Sequence, residues 1–146
     1  MIFCFPSRSR AVSRKKTEAI PIKKMASDSQ EAALSMHSFS DELSSMPVSF
    51  QVLKLKNSLF VWIGNSDNKC LGDLNLAMVV PPEEITSVRL MGNLLTPSSV
   101  LTKRLCKKLG KPVYLSYNLP QNDNMLLEIV NKRLNKEIEN NLDKFK

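Results

Sequence analysis

The sequence predicts an α+β fold: a mostly antiparallel β-sheet of about six strands with two helices packed on one face. Three observations carry this. Short apolar or alternating runs succeed one another between residues 49 and 91, as strands do. The apolar period then becomes helical over residues 96–110 and again beyond residue 123. A single apolar run separates the two helical stretches. Connections this short favour antiparallel pairing with the helices grouped on one side of the sheet.

Ser49–Lys56 (SFQVLKLK) and Ser58–Gly64 (SLFVWIG) read as two strands joined by a short turn at Lys56-Asn57-Ser58, a hairpin. Leu74–Val80 (LNLAMVV) is a third strand, ended by Pro81-Pro82. Thr86–Met91 alternates, with Val88 and Leu90 on one face and Ser87 and Arg89 on the other. Thr96 is a good N-cap with Pro97 at the first helical position. Leu95 and Val100 occupy the staple positions. Leu101, Leu105 and Leu109 follow at i,i+4 spacing, and Gly110 supplies a left-handed C-cap. Pro112–Tyr117 is a strand. The last helix, capped by Asn122 or Asp123, carries the stripe Leu127, Val130, Leu134 and Ile138.

The chain has 146 residues, one domain's worth. Such a domain buries roughly two-thirds of its unfolded surface, enough for a core without staples. The net charge of +7 is unevenly placed. Residues 1–25 carry seven basic residues and one acid, a net of +6, whereas residues 26–146 carry a net of +1. The sequence therefore divides into a basic extension at residues 1–35, expected to be disordered, and one α+β domain at residues 36–146. The extension reads as a transit peptide, as an upstream stretch before a working start at Met25, or as a functional tail. A nucleic-acid-binding fold, which needs cations clustered on a folded face, is disfavoured. The three cysteines, Cys4, Cys70 and Cys106, are odd in number and form no CxxC. A disulfide framework or zinc site is not expected, and reduced thiols are. No apolar run approaches the ~20 residues that cross a bilayer.

The inventory for catalysis is poor. His37 is the only histidine, with no acid or nucleophile beside it in a recognised pattern. A structural role is the plainer reading of it. The four glycines form neither GxGxxG nor a phosphate loop, and Glu83-Glu84 reads as a solvated turn. No cofactor or metal is called for. Lys103, Arg104, Lys107 and Lys108 lie opposite the leucines of their helix with no acid among them. They read as a solvated face or as a patch that steers toward an acidic protein surface.

The run Leu59–Ile63 is the most informative feature, because it is apolar on both faces. The helices cover one face of the sheet, so something else must cover the other. Either Met36–Pro47 or the Asn65–Asp73 loop folds over it, or a partner subunit packs sheet on sheet. In the second case Phe60 and Trp62 are the better candidates to face the partner, as aromatic anchors are enriched at interfaces. The candidate partner-binding residues are thus Phe60, Trp62, Lys103, Arg104, Lys107 and Lys108.

His37–Ser40, Phe50–Gly64 (FQVLKLKNSLFVWIG), LNLAM at Leu74–Met78, LMGN at Leu90–Asn93, the helix LTKRLCKKLGK and PVYLSYNLPQNDNMLLEIVNKRLNKEIE together resemble the proteasome assembly chaperone 4 family. The resemblance covers about Met36 to Leu142 in one order and leaves out the extension. It implies a non-catalytic chaperone of the cytoplasm, and also of the nucleus. Such a chaperone pairs as a heterodimer with proteasome assembly chaperone 3 and engages α-type subunits. It helps the α-ring of the 20S core form and leaves before maturation. The alternative is a small scaffold domain of another intracellular complex, or an organelle-imported protein.

Overall fold

The computed structural model describes residues 34–67, 69–94 and 96–146. The expected basic extension, save residues 34 and 35, and the expected staple residue Leu95 lie outside the described residues. Strands β2 (Met46–Lys54) and β3 (Leu59–Asn65) pair antiparallel with Val52 opposite Val61. Leu55 N–H donates to Ser58 O at 3.0 Å and closes their turn. Strand β4 spans Leu74–Val80 and pairs antiparallel with β5, Glu84–Met91, across a turn that holds the cis Pro81–Pro82 bond.

Strand β6 (Val113–Asn118) joins the two halves. With β1 (Ser35–Leu43) at one edge, the sheet order is β1-β2-β3-β6-β4-β5, so β6 lies between strands that precede it in the chain. It runs parallel to β3, with Leu115 opposite Val61, and antiparallel to β4, with Tyr114 opposite Leu76. One parallel pairing among antiparallel ones makes the sheet mixed, and mostly antiparallel as the sequence implies.

Strand β1, Ser35–Leu43, was not legible in the sequence. Met36–Pro47, one candidate to fold over the sheet, instead extends it as an edge strand beside β2, with Phe39 opposite Phe50. The turn between them places Ser44 and Ser45 at φ of 51° and 60°. This is the left-handed pair of a two-residue hairpin without the usual Asn-Gly.

Helix α1 spans Ser98–Leu109 and begins later than the Thr96 cap implies. Pro97 occupies the N-cap, and the Thr96 hydroxyl instead donates to Asn93 O at 3.2 Å and meets Ser98 Oγ at 2.8 Å. Gly110 ends the helix at φ 68°, its N–H on Cys106 O at 2.8 Å. Helix α2 (Asn124–Asn140) is capped by Asp123, whose Oδ1 accepts from Leu126 N–H at 2.9 Å. A short α3, Leu142–Phe145, follows and buries Phe145 completely.

The core forms between the helices and one side of the sheet. Leu101, Leu105, Leu109, Leu127, Val130, Leu134 and Ile138 meet Val48, Phe50, Val52, Leu59, Val61, Ile63, Val113 and Leu115 there. Tyr117 lies in the same layer, and burial with the nearby Asp123 charge pushes its phenol up to about 12. Cys106 is a free thiol with no exposure, and burial pushes its pKa up. Cys70 is disulfide-bonded, so the expectation of reduced thiols holds for Cys106 and is corrected for Cys70.

Candidate protein-binding face

Strand register decides what faces away from the helices. Residues opposite one another in a ladder share a face, and neighbours along a strand do not. Val61 opposes Val52 and Leu115 in the core, so Phe60 and Trp62 project from the other side. The same side carries Gln51 and Leu53 of β2, Tyr114 and Ser116 of β6, and Leu76 and Met78 of β4. It continues onto β5 through Val88, which is 50% exposed, and Leu90. On the four central strands no charged residue stands on this side. An apolar sheet surface with charge confined to its margins is what the core of an interface requires.

Of the explanations offered for the doubly apolar strand, the covering loop holds in part. The loop residues 69–73 cross the open side and roof Trp62, which is only 7% exposed. The indole N–H donates to Cys70 O at 2.8 Å. The ring lies against Gly64, where an added Cβ would stand 2.5 Å from the ring's six-membered edge. The loop is tied at both ends. Ser66 bonds to Ser49 through their hydroxyls at 2.8 Å and to Pro47 O through its N–H at 3.0 Å. Gly72 N–H donates to Asn118 Oδ1 at 2.7 Å. The rest of the face, from Leu53 to Val88 and Leu90, has no such roof among the described residues.

Asp73 fixes the far end of this loop to the helix layer. It is buried beside Asn75, Thr96 and Ser98, with Asn75 Nδ2 donating to its carboxylate at 3.2 Å and Thr96 Oγ1 at 3.5 Å. Arg89 closes the group through Nε on Asn75 Oδ1 at 3.4 Å and Nη2 on Thr96 O at 3.2 Å. Burial raises the Asp73 pKa, against the lowering effects of Ser98, Arg89, Thr96 and Asn75. This cluster pins the first turn of α1 to β4 and β5.

The six sequence-predicted residues fall on two surfaces. Phe60 and Trp62 are together on the open sheet side. Lys103, Arg104, Lys107 and Lys108 are exposed on α1, beyond the core from that side. Half of the cationic row is already paired by α2: Arg104 Nη1 meets Glu128 Oε1 at 2.9 Å, and Lys108 Nζ meets Glu139 Oε1 at 3.3 Å. The acids are on another helix, so α1 read alone does not show them. His37 lies on the helix side, bonded to Glu137 at 2.9 Å. Among the described residues no group of three His, Cys, Asp or Glu side chains is placed to hold a metal. No helix there is long and apolar enough to cross a membrane. Sequence reasoning missed Leu53, Leu76, Met78 and Tyr114 as members of the open face. The alternation at Val88 and Leu90 was visible, but its side was not, because that depends on β6 entering between β3 and β4.

A family model described as proteasome assembly chaperone 4 matches residues 47–119, half of the chain. The chain is 36% identical over 114 residues to proteasome assembly chaperone 4 of Homo sapiens, covering 77% of this chain and 91% of that protein. It is 35% identical over 117 residues to the Mus musculus protein of the same name, covering 79% and 94%. Its fold is similar to a chain in the crystal structure of a chaperone complex for yeast 20S proteasome assembly. That match has a TM-score of 0.56 at 12% identity and covers 78% of this chain and 99% of that one. On these matches, and on a sheet and helix arrangement that accommodates them from β2 through β6, the chain belongs to the proteasome assembly chaperone 4 family.

Proposed function

We propose that this protein is a non-catalytic assembly chaperone. It pairs through its open sheet face with proteasome assembly chaperone 3. In the cytoplasm and nucleus, the pair engages α-type subunits and promotes formation of the α-ring of the 20S proteasome core. The observation that carries the reading is the charge-free apolar side of β2, β3, β6 and β4. Six strands about 4.8 Å apart and about 23 Å long present roughly 550 Å² in flat projection. Two such faces span at most about 1,100 Å² in projection, since the loop already covers the Trp62 end of this one, near the threshold of specific interfaces. Family membership and the likeness to a chain of a yeast assembly complex support the same conclusion.

The test is co-purification from cells. A tagged chain should bring down proteasome assembly chaperone 3 and α-type subunits but not finished 20S particles. Its depletion should lower the yield of complete α-rings. Recovery of an unrelated complex with no proteasome subunit would overturn the reading.

A further inference from the structure

Beneath loop residues 69–71, a cavity of about 380 Å³ opens onto the sheet face. Phe60 and Trp62 form its floor, and Leu71 and Met91 stand on either side. Gln51 and Lys69 lie in its wall and also line a second cavity of about 260 Å³. The second cavity runs over the hydroxyls of Ser38, Ser40 and Ser49. The first is walled by carbon and the second by polar atoms, and Lys69 belongs to both. Among the described residues no acidic one lines either cavity.

We infer that this pair of cavities is an anchor site for one short segment of the partner chaperone. A bulky apolar side chain seats between Trp62 and Leu71, and a carboxylate a residue or two along meets Lys69 above the serine hydroxyls. The inference rests on the reading given under Proposed function and names the chemistry of that partner. Three features select this occupant. The first cavity is at the small end of sites that take small molecules, roughly 300–1,000 Å³, and it is continuous with a face that itself needs covering. Its floor is aromatic and held in place by the indole bond to Cys70 O, so seating a side chain costs little reordering of this chain. Lys69 is the cation at the junction, on a face whose central strands carry no charge. A segment bearing a carboxylate at that point is therefore preferred over a neutral or cationic one. Successive residues of an extended segment advance about 3.3 Å, which brings the two groups to adjoining cavities.

The test compares Lys69→Glu, Leu71→Asp, Val88→Asp and Met125→Asp in the full chain. Each is titrated with purified proteasome assembly chaperone 3, with thermal melts alongside. Lys69, Leu71, Val88 and Met125 are all exposed, so folding should survive. Lys69→Glu and Leu71→Asp should each weaken binding about tenfold or more. The Lys69→Glu loss should shrink at high salt, and Met125→Asp, on α2, should bind as wild type. If Val88→Asp weakens binding while Lys69→Glu and Leu71→Asp do not, the face is the interface and the anchor site is wrong. If none of the three matters, the face reading fails and takes the anchor site with it. If the lone chain is a dimer that Leu71→Asp makes monomeric, the occupant is a second copy, and the assignment to a partner chaperone is overturned.

Discussion

His37 and Glu137 stand 100 residues apart in the chain and are joined by a 2.9 Å hydrogen bond from Nε2 to Oε1. Glu137 also accepts from Asn141 Nδ2 at 2.8 Å and Arg133 Nη1 at 2.9 Å. Arg133 in turn reaches Asp41 at 2.8 Å and lies 4.7 Å over the Phe39 ring. The group clips the edge strand β1 onto α2. The sole histidine is thereby given a structural task. His37→Ala should lower thermal stability by about 1 kcal/mol, because Glu137 keeps its other partners. Affinity for the partner should stay unchanged. Loss of assembly activity with folding and affinity intact would reopen a chemical role.

The same carboxylate makes stability depend on pH. Burial alone would raise the Glu137 pKa, but its bonds to His37 and Arg133 and their charges outweigh it and hold the group below its ordinary 4.5. A pKa depressed by folding contributes stability that is present above the unfolded value and is lost as pH falls through the folded one. Asp73, raised by burial, acts with the opposite sign on acidification. The informative quantity is therefore the difference between wild type and Glu137→Gln in denaturant unfolding. That difference should be largest near neutrality and should close below pH 4.5. Curves that stay parallel into acid would show that Glu137 is not the titrating group.

Phe60 and Ile63 occupy opposite sides of β3. Ile63 has no exposure and Phe60 is half-buried on the open side. Ile63→Ala should cost the fold about 2–5 kcal/mol and leave the affinity of the surviving folded fraction alone. Phe60→Ala should do the reverse: little change in melting temperature, with partner binding weakened by about 2 kcal/mol or more if it is an anchor. Equal effects of both variants on stability, with none on binding, would refute this division of the strand.

Trp62 is the only tryptophan, so its fluorescence reports on the roofed pocket alone. Gly64→Ala places a methyl group where the indole lies, 2.5 Å from two ring carbons. The ring must leave its place under the loop. Emission should shift to the red and stability fall by about 1–3 kcal/mol. An unshifted spectrum would mean that the ring does not rest on Gly64.

The Ser44-Ser45 turn is strained for its residue types, with both φ angles positive. Ser44→Asn with Ser45→Gly should raise stability by about 1 kcal/mol, since Asn-Gly adopts this turn at lower cost. A fall in melting temperature would show that the turn is held by something other than its own backbone.

Those two serines also explain why β1 escaped the sequence. Its core side carries His37, Phe39, Asp41 and Leu43, only two of them apolar, and its hairpin lacks the Asn-Gly signal. An edge strand held by a side-chain clip needs no stronger pattern. Strands β4 and β6 were legible to within a residue because they are apolar and bounded by prolines. Helix α1 was legible through its leucines and Gly110. Its start was misplaced because Thr96 is drawn into the Asp73 cluster, a tertiary arrangement that no local cap signature shows. The open face was half legible. Strand β3 announced that it needed two covers, but which other residues share the second side follows from the position of β6.

That position has a consequence for how the chain is made. During synthesis the β1–β2–β3 and β4–β5 ribbons emerge first, and each lacks β6, the strand that joins them in the finished sheet. The strand that links them is complete only when Asn118 has left the ribosome, and α2 follows it. Until then two short ribbons wait with unpaired inner edges and apolar surfaces on both sides. Such a state invites strand pairing with other nascent chains. A chain truncated before Val113 would keep most of its strands and still have no sheet to close, so this chaperone's own folding hangs on a segment delivered late.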